Sequence, residues 1–501
     1  MSDGAGYHRG LLIGGAEQEA ASGEVLSILN PASGAELGTV ACADEKDVET
    51  AVAAAARAYA SGVWRDRPSH ERALVMNRFA DGIERRIDEL YRLETLNNGR
   101  PITETRAQIA RLPEWYRYNA ALLLADRDAV VPMPGPYHSY IRRFPLGVVG
   151  ILSSFNHPLM IGSKSLAPAL ATGNSVVLKP SEQTPFSSFI IADIAAESGI
   201  PPGVLNVIVG LGSVAGAALT EHPDVDKVVF TGGTAVGRNI AVAVARRFGK
   251  TTLELGGKTP VLVFADSPLD QAVRGAAFGG FVGAGQTCIA GTRILVEQSM
   301  HDAFVEGLVN VAEQIRIGDP SDPATQLGPV ISERSHARIL GHIERAVQDG
   351  ATVATGGGSV VVEGCEGGYF IAPTVLTGLS NSAAAAREEI FGPVVVVVPF
   401  EDEAEAVALA NDSPYGLGSS IWTSDVARAH RVADALLSGI VWVNDHHRLD
   451  PALPWGGVRE SGVGREGGWE SFHDFTHVKS VTVRTAADPV DWYGGTVDRL
   501  N

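Results

Sequence analysis

The middle of the chain constrains its fold more than any other part. Short, β-branched apolar runs at Gly147–Leu152, Ser175–Leu178, Val204–Val209, Lys227–Phe230 and Pro260–Phe264 alternate with stretches of helical periodicity. Runs so brief and so apolar are buried on both faces, and the helices between them supply crossovers. The pattern predicts a parallel sheet covered by helices. The same rhythm resumes from Arg293 to Val443 and predicts a second α/β unit. Upstream, Asp44 to Ala121 reads as mainly helical. Asp44 suits the cap of a helix through Asp47, Val48 and Glu49, and Glu71 to Asn97 interleaves Leu74, Phe79, Ile83, Ile87 and Leu90 with charges. The proline-rich segment Val130–Pro136 breaks the pattern and reads as a linker. Tyr137–Arg143 then reads as a short exposed strand, with Val478–Val483 a final strand suited to pair with it.

Length and charge narrow the function classes. A chain of 501 residues suggests two or three domains. Its net charge of −18 argues against nucleic acid or an anionic membrane as partner, because phosphates are repelled overall. No run approaches the roughly 20 apolar residues of a membrane helix, and the opening MSDGAGYHRG lacks the basic and apolar regions of a secretory signal. The three cysteines, Cys42, Cys288 and Cys365, are too few for a disulfide scaffold and match no metal spacing. A reducing cytoplasm is the expected setting, and no metal is expected.

Several segments could carry chemistry. Cys288 lies between Gly285 and Gly291, where small neighbours let a substrate reach the sulfur and backbone N–H groups face a developing oxyanion. Alone, it is equally a buried core cysteine. Glu254, in Leu253-Glu254-Leu255-Gly256-Gly257-Lys258, leaves an apolar strand for a glycine turn; it suits a general base with a raised pKa, or a partner for Lys258. Asn156 follows another strand, and its amide can donate to an oxyanion or serve a local turn. Two glycine turns, around Gly212 and around Gly232-Gly233, pass from strand to helix where a diphosphate could sit, although neither has the usual dinucleotide spacing. Lys179 and Glu182 end a third strand, placed to hold ribose hydroxyls or to pair on the surface.

Together these motifs resemble the aldehyde dehydrogenase superfamily, from about Asn30-Pro31 to Val483. Glu254 and Cys288 stand 34 positions apart, as the family's catalytic pair does. Glu388-Glu389-Ile390-Phe391-Gly392-Pro393, Ala410-Asn411 with Tyr415-Gly416-Leu417, and Pro454-Trp455-Gly456-Gly457 leading to Ser461–Glu466 follow in family order. The resemblance implies an α/β fold with a Rossmann-like cofactor domain (1–125 and 146–257), an α/β catalytic domain (258–460), and a small β oligomerisation arm with a C-terminal segment (126–145 and 461–501). It implies a homodimer or homotetramer. Cys288 would be the nucleophile, Glu254 the base, and Asn156 with the Cys288 N–H the oxyanion hole. Lys179 and Glu182 would hold the adenosine ribose, Glu389 the nicotinamide ribose, with Phe391 and Leu255 nearby and Gly212, Gly232 and Gly233 along the diphosphate. Gly233 stands where the family usually has serine, and Gly283 where it often has asparagine. A carboxylate at Glu182 favours NAD over NADP, which stays possible.

The reaction so implied is oxidation of a small-molecule aldehyde to its acid through a thiohemiacetal and a thioester, the latter hydrolysed by Glu254-activated water. Coenzyme-A-acylating relatives lack that base; the other rival is a non-catalytic protein on the same fold. The substrate tunnel would be lined by His157, Lys164, Thr287, His447 and Trp455. Lys164 and Arg448 could meet a semialdehyde's remote carboxylate, or could point to solvent. Trp455 also occurs in relatives that take betaine or amino aldehydes, where cation–π contact helps.

Overall fold

The computed structural model of the chain describes residues 6–487 and residue 493. The apolar runs form the interior of an eight-stranded sheet. Its centre is parallel: Lys250–Glu254, Lys227–Thr231, Val148–Leu152, Ser175–Lys179 and Leu205–Val207 lie side by side. Residues 148–152 and 175–179 are buried throughout, as a sheet covered on both faces requires. Both edges are antiparallel. Leu11–Ile13 pairs with Leu205–Val207, and Gly462–Val463, expected in the C-terminal segment, pairs with Lys250–Glu254. That second edge brings the C-terminal glycine motif against the strand that carries Glu254.

The second sheet has seven strands. Pro260–Val263, Arg293–Glu297, Val394–Phe400, Thr374–Thr377, Gly418–Trp422 and Ile440–Val443 are parallel, and Thr352–Thr355 adds an antiparallel edge. Each sheet has its own apolar core, one around Val149, Val176 and Phe189 and one around Val261, Leu295 and Val396.

Helices over the first sheet follow the periodicity. Asp44 caps Glu45–Ser61 in a reciprocal capping box with Asp47. The single helical stretch expected from Glu71 to Asn97 is two helices, Ser69–Arg85 and Ile87–Asn98, broken where Arg86 leaves helical geometry at φ −109°. The break lets Phe79 and Ile83 on one side, and Leu90 and Leu93 on the other, reach the same core.

The expected linker is partly strand. Ala129–Val131 pairs with Tyr137–Pro145, because Pro132-Met133-Pro134-Gly135 folds into a turn rather than a tether. Tyr137–Pro145 in turn pairs antiparallel with Thr476–Arg484 along nine residues, joining the two segments that the sequence predicted to meet. The result is a three-stranded arm with exposed Val130, Val478 and Val483.

Candidate active site

The reactive residues gather where strand ends of the two sheets meet. Asn156 follows Val148–Leu152, Glu254 ends Lys250–Glu254, and Cys288 lies on the loop between the short helix Val282–Gly285 and Arg293–Glu297. A cavity of about 230 Å³ is lined by Asn156, Gly232, Gly233, Glu254, Leu255, Cys288, Glu389 and Phe391. The sequence-predicted catalytic residues therefore share one chamber with the expected nicotinamide end. A Cβ on Gly257 would sit 2.7 Å from the Cys288 carbonyl, so glycine is needed there for the Glu254 turn to approach the Cys288 loop.

Electrostatics in this chamber are those of an enclosed site. Cys288 keeps part of its surface open to the cavity, yet burial pushes its thiol up to about 12, against a pull downward from Lys164. Glu254 is 3% exposed, and neither of its carboxyl oxygens has a hydrogen-bond partner among the described residues. Burial raises its pKa well above the carboxylate range, the charge of Glu466 raises it further, and Lys164 and Arg465 pull it back. Glu254 is thus not the partner of Lys258, the plain alternative from the sequence. The Lys258 ammonium is likewise unpaired among the described residues, and burial lowers it to about 7.

Asn156 is held on both sides of its amide. Its Oδ1 accepts from the Ser154 hydroxyl at 2.6 Å, and its Nδ2 donates to the Gln286 carbonyl at 2.7 Å, leaving one amide hydrogen for an oxyanion. Glu389 Oε1 accepts from the Gly257 N–H at 3.0 Å, and burial raises its pKa to about 7. Phe391 sits in a left-handed turn at φ 52° and meets Phe155 edge-on at 5.8 Å.

A second cavity of about 580 Å³ shares Ser154, Phe155 and Thr231 with the first. Lys179, Glu182 and Gly212 line it. The Lys179 ammonium, 4% exposed, reaches Glu182 at 3.5 Å and the Pro180 carbonyl at 3.3 Å. The Thr234–Ala245 helix begins at Gly233 without a side-chain cap, so its first N–H groups have no local acceptor. Two adjoining cavities with buried polar groups at each end and an uncapped helix start between them fit an extended dinucleotide.

The expected substrate side is aromatic and electrically compensated. His157 donates from Nδ1 to Gln108 Oε1 at 3.1 Å; that oxygen also accepts from Arg100, which fixes the tautomer and leaves the buried Nε2 without a partner among the described residues. His447, at φ 66°, meets His157 at 6.0 Å between ring centroids. Both imidazoles are held neutral, chiefly by burial, His447 at about 3. Thr287 is buried, and its carbonyl accepts from the Ala290 N–H at 2.9 Å. Trp455 packs with Ile289, Leu417 and Trp442.

Lys164 is neither solvent-facing nor free. It is 5% exposed, ion-paired with Glu466, and its ammonium lies 4.5 Å over the Trp455 ring. Ser165 donates to the other Glu466 oxygen at 3.0 Å. Arg448 lies mostly in solvent, paired with Asp445. Glu466 is the residue that sequence reasoning left without a role; its place as the last residue of the Ser461–Glu466 motif was the available signal.

The aldehyde dehydrogenase family model matches residues 18–481. The chain belongs to the aldehyde dehydrogenase family. It is 40% identical to a phenylacetaldehyde dehydrogenase of Pseudomonas fluorescens, over 96% of this chain and 97% of that one. It is also 40% identical to betaine aldehyde dehydrogenase 1 of Oryza sativa subsp. japonica, over 97% of each. Betaine aldehyde dehydrogenase of Staphylococcus aureus, solved in complex with NAD+, superposes with a TM-score of 0.95 at 38% identity, covering 97% of this chain and 96% of that one. Among the described residues no helix is long and apolar enough to cross a membrane, and no group of acidic, histidine and cysteine side chains is arranged to hold a metal.

Proposed function

We propose that this aldehyde dehydrogenase oxidises an uncharged polar or aromatic aldehyde to its carboxylic acid, with Cys288 as nucleophile and NAD as hydride acceptor. The observation that carries the mechanism is the chamber that brings Cys288, Asn156, Glu254 and Glu389 together. Lys179, Glu182 and Glu389, lining the two adjoining cavities, would hold NAD, which would supply the hydride acceptor for the carbon bonded to sulfur. The chain's own residues do the rest. The Cys288 thiol gives its proton through water to ionised Glu254, which passes it to solvent, and the sulfur bonds the aldehyde carbon, giving an alkoxide that the free Asn156 hydrogen and the Cys288 N–H stabilise. After hydride leaves, the carbon is a thioester on Sγ. Glu254, ionised again, takes a proton from water; the hydroxide adds to the thioester carbon, the C–S bond breaks, and the proton held on Glu254 goes to the departing sulfur, so that acid and thiol are released. Glu182, beside the adenosine ribose position, favours NAD over NADP.

The substrate class follows from which charges are already compensated. Lys164 is held by Glu466 and covers one face of Trp455, so neither a carboxylate nor a cationic head group gains a free partner there. Neutral His157 and His447 and the Trp442–Trp455 pair favour uncharged polar and aromatic groups. A betaine or amino aldehyde is the second reading, favoured by the rice relative and by Trp455. A panel of neutral, anionic and cationic aldehydes, followed by NADH absorbance, decides between them. A kcat/KM at least ten-fold higher for the neutral set supports the first reading; a preference for the cationic set establishes the second. Homodimers or homotetramers joined through the arm, in a cytoplasm that keeps the thiols reduced, complete the proposal.

A further inference from the structure

The nucleophile loop has little regular structure to hold it. It leaves Val282–Gly285 through three successive left-handed residues, Gly283, Ala284 and Gly285, at φ 60°, 56° and 67°. It reaches strand geometry only at Arg293. The sheet ladder therefore does not fix where Cys288 points. Among the described residues, a backbone bond from Gly291 N–H to the Gly279 carbonyl at 2.9 Å ties its far end, and two side-chain donors from outside the loop act on it, one on each side of the cysteine. Asn156 Nδ2 holds the Gln286 carbonyl at 2.7 Å, and His446 Nε2 holds the Ile289 carbonyl at 2.9 Å.

His446 is built into that position. The carbonyl of Ile289 can only accept, so the ring carries its proton on Nε2. A Cβ on Gly279 would lie 3.1 Å from the imidazole carbons, and one on Gly291 3.3 Å away, so the ring fills a slot between the Leu269–Phe281 helix and the loop. Trp442 packs on it at 4.9 Å between centroids. The backbone beside it is fixed as well: His446 N–H donates to Asp445 Oδ1 at 2.8 Å, and the Asp445 carbonyl accepts from Ser420 at 2.8 Å. Burial keeps the ring neutral, with a pKa lowered to about 4.

We infer that His446 is a positioning residue for the nucleophile: its Nε2–H clamps the Ile289 carbonyl and so sets the distance from Cys288 to Asn156 and Glu254. The inference rests on Cys288 being the nucleophile. Displacing a reacting group by about 1 Å costs on the order of 100-fold in rate, so the clamp acts on kcat more than on binding.

The test compares His446→Gln with His446→Asn. A glutamine amide nitrogen reaches the Nε2 position, whereas asparagine's stops near Nδ1. The expected result is that the Gln variant keeps kcat within about 3-fold of wild type. The Asn variant should lose about 10- to 100-fold in kcat and a comparable factor in the rate of Cys288 alkylation by iodoacetamide, with KM for NAD unchanged and equal thermal stability in the two variants. Equal kcat in Gln and Asn variants, or a loss that tracks thermal stability alone, overturns the inference. Cys288→Ala separates the two levels. If it still forms NADH, the nucleophile assignment fails; if it does not and the His446 variants match wild type, only the positioning role fails.

Discussion

Replacing Lys164 with methionine tests how charge is organised beneath the reacting groups. The ammonium is buried, ion-paired with the 2%-exposed Glu466, and stacked over Trp455. Methionine keeps most of the stem's apolar volume and removes the charge. Breaking one side of such a pair leaves a buried carboxylate uncompensated, which costs about 3–5 kcal/mol. The kinetic consequence has a definite sign. Glu254 is raised first by burial and then by Glu466, and Lys164 opposes both. Without Lys164, and with Glu466 ionised, the Glu254 pKa rises further. A base must be deprotonated to act, so the acid limb of the kcat profile moves to higher pH. Lys164→Met/Glu466→Gln removes both charges. It should recover much of the stability and return the limb toward wild type, a coupling that a double-mutant cycle measures. Urea unfolding and kcat measured from pH 5 to 9 provide the assay. An acid limb that stays in place or moves to lower pH in Lys164→Met refutes the reasoning.

Three further outcomes are expected. Ala284 stands in the left-handed region at φ 56°, so Ala284→Gly should stabilise the chain by up to about 1 kcal/mol in urea unfolding; a loss of that size would contradict the strain. His446 has its pKa lowered from 6.5 to about 4, so the unfolded chain binds the extra proton first and its contribution to stability is lost as pH falls from 6.5 toward 4. The wild-type advantage over His446→Gln should therefore shrink by about 1.4 kcal/mol per unit below pH 6.5, read as the difference in unfolding free energy at pH 7, 6 and 5; a constant difference would count against a buried neutral ring. Glu182→Ser removes the carboxylate beside the ribose position and should raise the NADP-to-NAD ratio of kcat/KM by ten-fold or more; an unchanged ratio would place cofactor choice elsewhere.

Much of this was legible in the sequence, for identifiable reasons. Short all-apolar strands announce a doubly covered sheet, and Ser175–Lys179 and Lys227–Thr231 appear within a residue of where periodicity put them. The pairing of Tyr137–Pro145 with Thr476–Arg484 was visible because both segments are β-rich and solitary. The N-terminal strands, such as Leu11–Ile13 and Ala16–Gln18, were not legible; each is three residues long, too short for periodicity to register. Ala129–Val131 was hidden by the prolines that follow it. At the site, the family resemblance singled out Cys288 and Glu254 as candidates but could say nothing of the charges between them. That Lys164 is engaged with Glu466 depends on two residues 302 positions apart meeting across the fold, which local pattern does not encode. His446 escaped for a related reason: its role lies in one hydrogen bond to a backbone carbonyl, and no motif marks a carbonyl's partner.

The central claim is a covalent acyl intermediate on Cys288 that Glu254-activated water resolves. Glu254→Gln keeps the shape of the side chain and removes the proposed base, which should slow hydrolysis by about 10²–10⁴-fold. The direct measurement is intact and peptide mass spectrometry of this variant after mixing with an aldehyde and NAD, with NADH followed in parallel. The account predicts a burst of about one NADH per chain, together with a mass increase equal to the acyl group on the peptide that contains Cys288. Sustained NADH formation at the wild-type rate, or a burst with no acyl group on Cys288, would contradict it.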